Sequence, residues 1–139
     1  MPKSLSHVVV FTDDLEEVIG FCVERAGIPS VSRYDIPAES LSQLFGWAGL
    51  TAPASAAFIG EGPGALDVIE IPEQLRGDVA PGMRLLAVVN RDVEGAGAEA
   101  AAAGHAVRGP FHVTAATGAP MALVEVTAGG LSFELVQFG

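Results

Sequence analysis

The sequence predicts an α+β chain built from two tandem copies of one β-α-β-β-β unit, and three observations predict it. "HVVVFTDDLEEV" from His7 and "LLAVVNRDVEGA" from Leu85 follow one plan: a short apolar run, a polar turn reaching Asp, then a helix start. A constant offset of 78 positions carries His7 to Leu85, Asp14 to Asp92 and Leu15 to Val93. Each helix is then followed by three strand-like runs. A chain of 139 residues suits a single domain. Module 1 takes about residues 1–76, the linker about 73–82 and module 2 about 83–139.

Residues 7–11 are β-branched or aromatic apart from the leading histidine and read as a buried strand. Asp13 or Asp14 can cap the helix that follows, because a carboxylate accepts the free N–H groups of a first turn. Leu15, Val18, Ile19, Cys22 and Val23 recur at helical spacing, with Glu16, Glu17 and Glu24 off that stripe. Gly27 and Pro29 stop the helix. "PSVSRYDI", "SAAFIG" and "ALDVIEIP" supply the other strands of module 1. "PAESLSQLFGWAGLTAP" is the excess of the first copy over the second and reads as a loop with a helical turn. "EQLRGDVAPGM" carries the Gly and Pro of a linker.

In module 2, residues 84–89 form the first strand and Asp92 the cap. Val93, Ala96, Gly97, Ala100 and Ala101 make the helix stripe, which Gly104 ends. That stripe is small-faced, so the helix can lie close to its sheet. "HAVRGPFHV", "APMALVEVT" and "LSFELVQF" complete the module. The closing strands match as Glu70–Ile71 and Glu134–Leu135.

The totals narrow the function classes. A formal net charge of −10, with seven scattered Lys and Arg, disfavours nucleic acid or an anionic membrane as partner. Every apolar stretch is interrupted before it can span a bilayer. There is no signal-type leader after Met1, and the one cysteine, Cys22, cannot form an internal disulfide, so a cytoplasmic location is expected. Cys22 sits on the helix stripe and reads as a small core residue.

A β-α-β-β-β unit covers one sheet face with its helix and leaves the other open, and two such units can curl into a mixed sheet around a shared trough. Strand alternation sorts the faces. In the first strand Val8 and Val10 face the helix, and His7, Val9 and Phe11 the trough. In the fourth, Ile69 and Ile71 face the helix and Val68 and Glu70 the trough. In the last, Phe133 and Leu135 face the helix and Ser132, Glu134 and Val136 the trough.

With these residues in place the chain resembles the vicinal oxygen chelate superfamily, which holds glyoxalases, bleomycin-resistance proteins and extradiol dioxygenases. The resemblance rests on "SLSHVVVFTDDLEEVIGFCVERAGI", "DVIEI" and "AGGLSFELVQF". It implies a glyoxalase-like fold and a divalent metal held by the first and fourth strands of each module. Those positions are His7, Glu70, Leu85 and Glu134. Three can bind a metal and leucine cannot, so the expected ligands are His7, Glu70 and Glu134. That mixed N/O set suits Fe, Mn, Co, Ni or Zn. The resemblance then implies a metal-dependent lyase, isomerase or dioxygenase acting on a small oxygenated substrate, with Glu134 as the base if it detaches. It equally covers metal-free proteins that bind an antibiotic-like or aromatic ligand in the trough. A slip in strand register would bring Arg84 in for Leu85, or Glu73 for Glu70.

Phe11, Tyr34, Phe45 and Trp47 are candidate pocket walls, with Leu85 beside them; each also fits ordinary packing. Arg33 and Arg108 are candidate partners of a substrate carboxylate or simple surface ion pairs. His105 and His112 read as surface residues, and Glu125 as facing either the trough or water. "GEGPG" at 60–64 reads as a turn. A homodimer is expected by the habit of the family.

Overall fold

The computed structural model describes residues 5–115 and 117–139. The chain divides into two compact units at Arg84/Leu85, with Ser6 joining the second, where its N–H donates to the Ala87 carbonyl at 2.7 Å. The class is α+β, as expected from the duplicated plan.

Module 1 runs β1 (His7–Thr12), α1 (Leu15–Gly20), β2 (Val31–Ile36), α2 (Ala38–Phe45), β3 (Ala54–Ile59) and β4 (Ala65–Glu70). Its strands lie in the order β2-β3-β4-β1. β1 and β4 are parallel, while β2–β3 and β3–β4 are antiparallel. Asp14 caps α1, accepting from the Glu17 N–H at 3.1 Å. Leu15, Ile19 and Cys22 pack on Ala57, Ile59 and Val68, with Val10, Val18, Ile28, Val31 and Leu66 around them. Val23, expected on the same stripe, is 38% exposed. After Gly20 the helix widens into one π turn, Phe21–Arg25. The added residue per turn keeps Cys22 inward and rotates Val23 out.

The excess segment between β2 and β3 holds α2, a two-turn helix where a single turn was expected. It starts after Pro37 and ends at Gly46, whose φ of 71° is the left-handed conformation of a helix stop. Leu41 is fully buried and Trp47 nearly so.

Module 2 runs β5 (Gly82–Val89), α3 (Val93–Ala102), β6 (Ala106–Thr114), β7 (Pro120–Ala128) and β8 (Leu131–Phe138). The strand order is β5-β8-β7-β6, with β5 and β8 parallel and the other pairs antiparallel. Asp92 caps α3 through the Gly95 N–H at 3.0 Å. Val93, Val124 and Val126 form the core under the helix, with Ala100, Val107, Ala122 and Leu135 packed on it. Gly97 brings α3 against the sheet: a Cβ there would lie 3.0 Å from a Val124 methyl. The small-faced helix does sit close, as its composition predicted.

The linker expected over 73–82 contains a 3-10 turn, Glu73–Leu75, and β5 begins at Gly82. No helix among the described residues is long and apolar enough to cross a membrane.

Candidate functional site

β4 decides the site, and its faces are the reverse of those expected. Val68 belongs to the core under α1, and Glu70 lies two residues further along the same face. The Glu70 carboxylate accepts the Leu15 N–H at 2.8 Å, satisfying an otherwise unpartnered amide of the first turn of α1. The assignment of Glu70 as a metal ligand facing the trough is therefore corrected: its carboxylate lies on the helix side. Module 2 has the same device. The Val93 N–H donates to Gln137 Oε1 at 3.0 Å, so Gln137, not Glu134, is the counterpart of Glu70.

The strand registers give the true match of Glu134. In module 1, Val9 lies beside Asp67; in module 2, Ala87 lies beside Glu134. Val9 and Ala87 are 78 positions apart, the offset of the duplication. Asp67 thus occupies in module 1 the place that Glu134 occupies in module 2. "DVIE" and "ELVQ" show the correspondence in sequence: an acid, two apolar residues, then the side chain that meets the helix.

The face of module 1 opposite α1 carries His7, Val9 and Phe11 from β1, Asp67 and Ile69 from β4, Phe58 from β3 and Tyr34 from β2. Asp67 is 9% exposed, and the Tyr34 hydroxyl donates to its Oδ1. Burial pushes the Asp67 carboxyl up to about 6, against the opposing pull of the Tyr34 hydrogen bond. Asp67 sits directly beside Phe58 in the sheet, and the His7 ring meets Phe58 edge-on with centroids 4.8 Å apart. Burial holds the His7 imidazole below its ordinary range, favouring the neutral ring. Tyr34, Phe58 and His7 are each half-buried, so the carboxyl lies beneath neighbours that are partly open to solvent.

Further along this face, Phe11, Phe45 and Trp47 form an aromatic cluster. Ring centroids lie 5.1 Å apart for Phe11–Phe45, 4.9 Å for Phe11–Trp47 and 5.2 Å for Phe45–Trp47. The Arg84 guanidinium lies over the Phe45 ring at 6.0 Å. Phe11 pairs with Ile69, two residues beyond Asp67 on β4. The cluster therefore begins about 7 Å from the carboxyl.

The corresponding face of module 2 is different. Leu85 and Ala87 are buried and apolar. Glu134 is half-buried and directly opposite Glu125 on β7. Glu125 is 9% exposed and accepts from Arg108 at 3.0 Å, while the Arg108 guanidinium lies over Phe111 at 5.4 Å. A bulge between Arg108 and Phe111 sets this arrangement. Arg33, by contrast, pairs with Glu16 on the exposed outer surface. His105 and His112 are exposed and Cys22 is buried, as the sequence suggested.

Among the described residues neither module by itself gathers three donors for the divalent ion that the resemblance implies. Leu85 offers no lone pair, Glu70 is committed to the α1 terminus, and Asp67 is bound to Tyr34. Among the described residues no group of three or more His, Cys, Asp or Glu is placed to hold a metal. His7 and Glu134 lie on the faces the sequence predicted for them, each within its own module. Asp67 and Phe58 were missed by sequence reasoning, although the DVIE/ELVQ spacing carried the signal for Asp67.

No family model matches the sequence, and no curated protein matches it. Solved structures do. Methylmalonyl-CoA epimerase from Streptomyces coelicolor, in complex with 2-nitronate-propionyl-CoA, is 15% identical over 99% of this chain and 95% of its own, with a TM-score of 0.71. The epimerase from Mycobacterium tuberculosis is 14% identical over 96% of this chain and 86% of its own, at 0.67. A variant of 4-hydroxymandelate synthase from Streptomyces coelicolor is 18% identical over 99% of this chain and 49% of its own, also at 0.67. These likenesses span both modules and show the fold: the chain folds as these enzymes do, in the paired arrangement that the sequence led us to expect.

Proposed function

We propose that this chain binds a small, partly apolar, oxygenated molecule on the face of module 1 opposite α1, and that it does so without a divalent metal. The observation that carries this reading is the adjacency of the Phe11–Phe45–Trp47 cluster to the Tyr34–Asp67 pair on one sheet face. An apolar body meets the aromatic walls, and a polar oxygen meets the phenol and carboxyl. On this reading Phe11, Tyr34 and Trp47 are the pocket walls. Phe45 is half-buried and meets Phe11 edge-on beside them. Leu85 serves as an apolar wall of module 2 rather than as a ligand position. That epimerase neighbours are complexed with 2-nitronate-propionyl-CoA or methylmalonyl-CoA supports an oxygenated ligand.

The experiment is a titration of metal-stripped protein with 2-naphthol, followed through Trp47, the one tryptophan. Saturable quenching that is indifferent to EDTA and about tenfold weaker in Phe11→Ala is expected. Absence of saturation, or binding that appears only with an added divalent ion, refutes the reading and restores the metal-dependent one. The expected homodimer belongs to this proposal too, and sedimentation velocity at micromolar concentration tests it. So does the cytoplasmic location, supported by the free, buried Cys22.

A further inference from the structure

We infer that the outer edge of β2 is the surface through which two copies of this chain pair, antiparallel and about a two-fold axis that passes at Tyr34. The inference deepens the homodimer proposed above and rests on it.

Four observations carry it. First, β2 is the outermost strand of its module's sheet, and every residue of it pairs with β3 without a bulge or a proline. Second, its backbone is presented outward. The Gly60 N–H donates to the Ser30 carbonyl at 2.9 Å, one step beyond the printed strand pairs and in the same register. Antiparallel bonding alternates, so Ser32, Tyr34 and Ile36 bond to β3, and the amides and carbonyls of Val31, Arg33 and Asp35 point away from it. Ser32, Arg33 and Asp35 are exposed and Tyr34 is half-buried, so this edge is open among the described residues. Third, Arg33 and Asp35 stand two apart on one face of the strand with opposite charge. Fourth, β6, the outermost strand of module 2, differs: its register is interrupted between Arg108 and Phe111.

Symmetry selects the register. With the axis at Tyr34, Arg33 of each copy lies opposite Asp35 of the other, and the two-fold repeats the contact. Each Arg33–Asp35 contact exchanges a pair of backbone hydrogen bonds and sets opposite charges side by side. Moving the axis by one residue sets Arg33 against Arg33, or Asp35 against Asp35, which is repulsive. An edge built only to stay apart would carry one sign of charge, and a chain with a formal net charge of −10 has ample acid for that. Arg33 also holds Glu16 of its own α1, with Nη2 at 2.8 Å from Oε2. A guanidinium has five N–H donors, so it can take a second carboxylate. The two Tyr34 side chains face each other across the axis, where aromatic pairs add to sheet pairing. The ligand face of each copy then ends beside Tyr34 of the second copy.

The test is sedimentation velocity of the full chain across the micromolar range, with the folding of each variant checked by circular dichroism. The parent protein should sediment with twice the chain mass. Asp35→Arg, which leaves the Arg33–Glu16 pair in place, should weaken association by roughly tenfold or more, since both opposite-charge contacts become like-charge ones. Arg33→Asp should do the same. Neither variant should dimerise alone, yet an equimolar mixture of the two should, because the mixture restores opposite charges at every contact. Both variants remain net negative, so overall attraction does not supply that result. In the parent protein, amide exchange at Arg33 and Asp35 should slow as concentration rises into the dimer. Unchanged exchange at those two amides overturns the inference even if a variant fails to fold. A dimer that persists in either variant, or a mixture that stays monomeric, overturns this surface and leaves a homodimer through another face. A parent protein that is monomeric throughout overturns both.

Discussion

Module 1 and module 2 are alike on the side that faces the helix and unlike on the other. Both cap the helix with an Asp, Asp14 or Asp92, and both send a side chain from the closing strand to the next amide, Glu70 to Leu15 and Gln137 to Val93. On the opposite face, module 1 carries rings and a buried acid with a phenol. Module 2 carries two facing glutamates with an arginine. The comparison teaches where the duplicated plan is held by folding and where it is released. The helix side serves the free amides of a helix start and a close-packed core, so its residue types persist at matching positions. The far side has no such duty in common, and there the chemistry has diverged.

The largest expected effect tests how tightly the helix sides are packed. Gly97→Leu puts a branched side chain where even a Cβ would sit 3.0 Å from Val124. Overpacking of this kind costs about 3 kcal/mol or more, and urea melts should show it. In module 1 the position matching Gly97 is Ile19, and the glycine beside it, Gly20, has nothing within 4 Å of an added Cβ, so Gly20→Ala should have no such cost.

Next comes the far side. The Asp67 carboxyl is raised to about 6 in the folded chain, so folding favours its protonated form. That contribution is fully present below the ordinary carboxylate range and is lost as pH rises through about 6. Asp67→Asn should therefore stabilise the protein at pH 8 by on the order of 2–3 kcal/mol and hardly at all at pH 3. Glu125→Gln, on the matching face of module 2, should instead destabilise by about 1–2 kcal/mol through the weakened Arg108 pair. His7 works in the other direction. Its imidazole is lowered by burial, so its contribution is present above the ordinary histidine range and fades as pH falls below it.

Smaller effects sharpen the likeness of the helix sides. Glu70→Ala and Gln137→Ala should each cost about 1 kcal/mol in thermal melts, since each strips a partner from a helix-start amide. A much larger loss in one alone would break the equivalence. The smallest effect is Gly20→Ala, which should add about 0.5–1 kcal/mol of stability by restricting the unfolded chain.

Much of the fold was legible in the sequence because its signals are local. The Asp caps, the 3.6-residue stripe and the runs of β-branched residues each declare themselves within a few positions. The faces of β1 and β8 also came out correctly, since Val10 and Leu135 do pack toward their helices. β4 did not. Asp67, Val68 and Ile69 are all buried, so the strand lacks the polar–apolar alternation that tells one face from the other. Matching Glu70 to Glu134 by residue type then replaced the missing signal and chose the wrong face. Spacing was the better guide, because Asp67 and Glu70 stand three apart, as do Glu134 and Gln137. The aromatic cluster was legible only as a set of residue types. The contact of Phe11 with Phe45 and Trp47 joins positions more than thirty residues apart.

The bulge between Arg108 and Phe111 has a further result for the chain in a crowded solution. β6 is the outermost strand of its module's sheet, and such a strand offers a template on which another chain can add. Pro110 withholds an amide proton at that point, and the interrupted register denies an incoming strand a continuous ladder. The feature that aims Arg108 at Glu125 thus also protects the molecule from polymerising along its own margin.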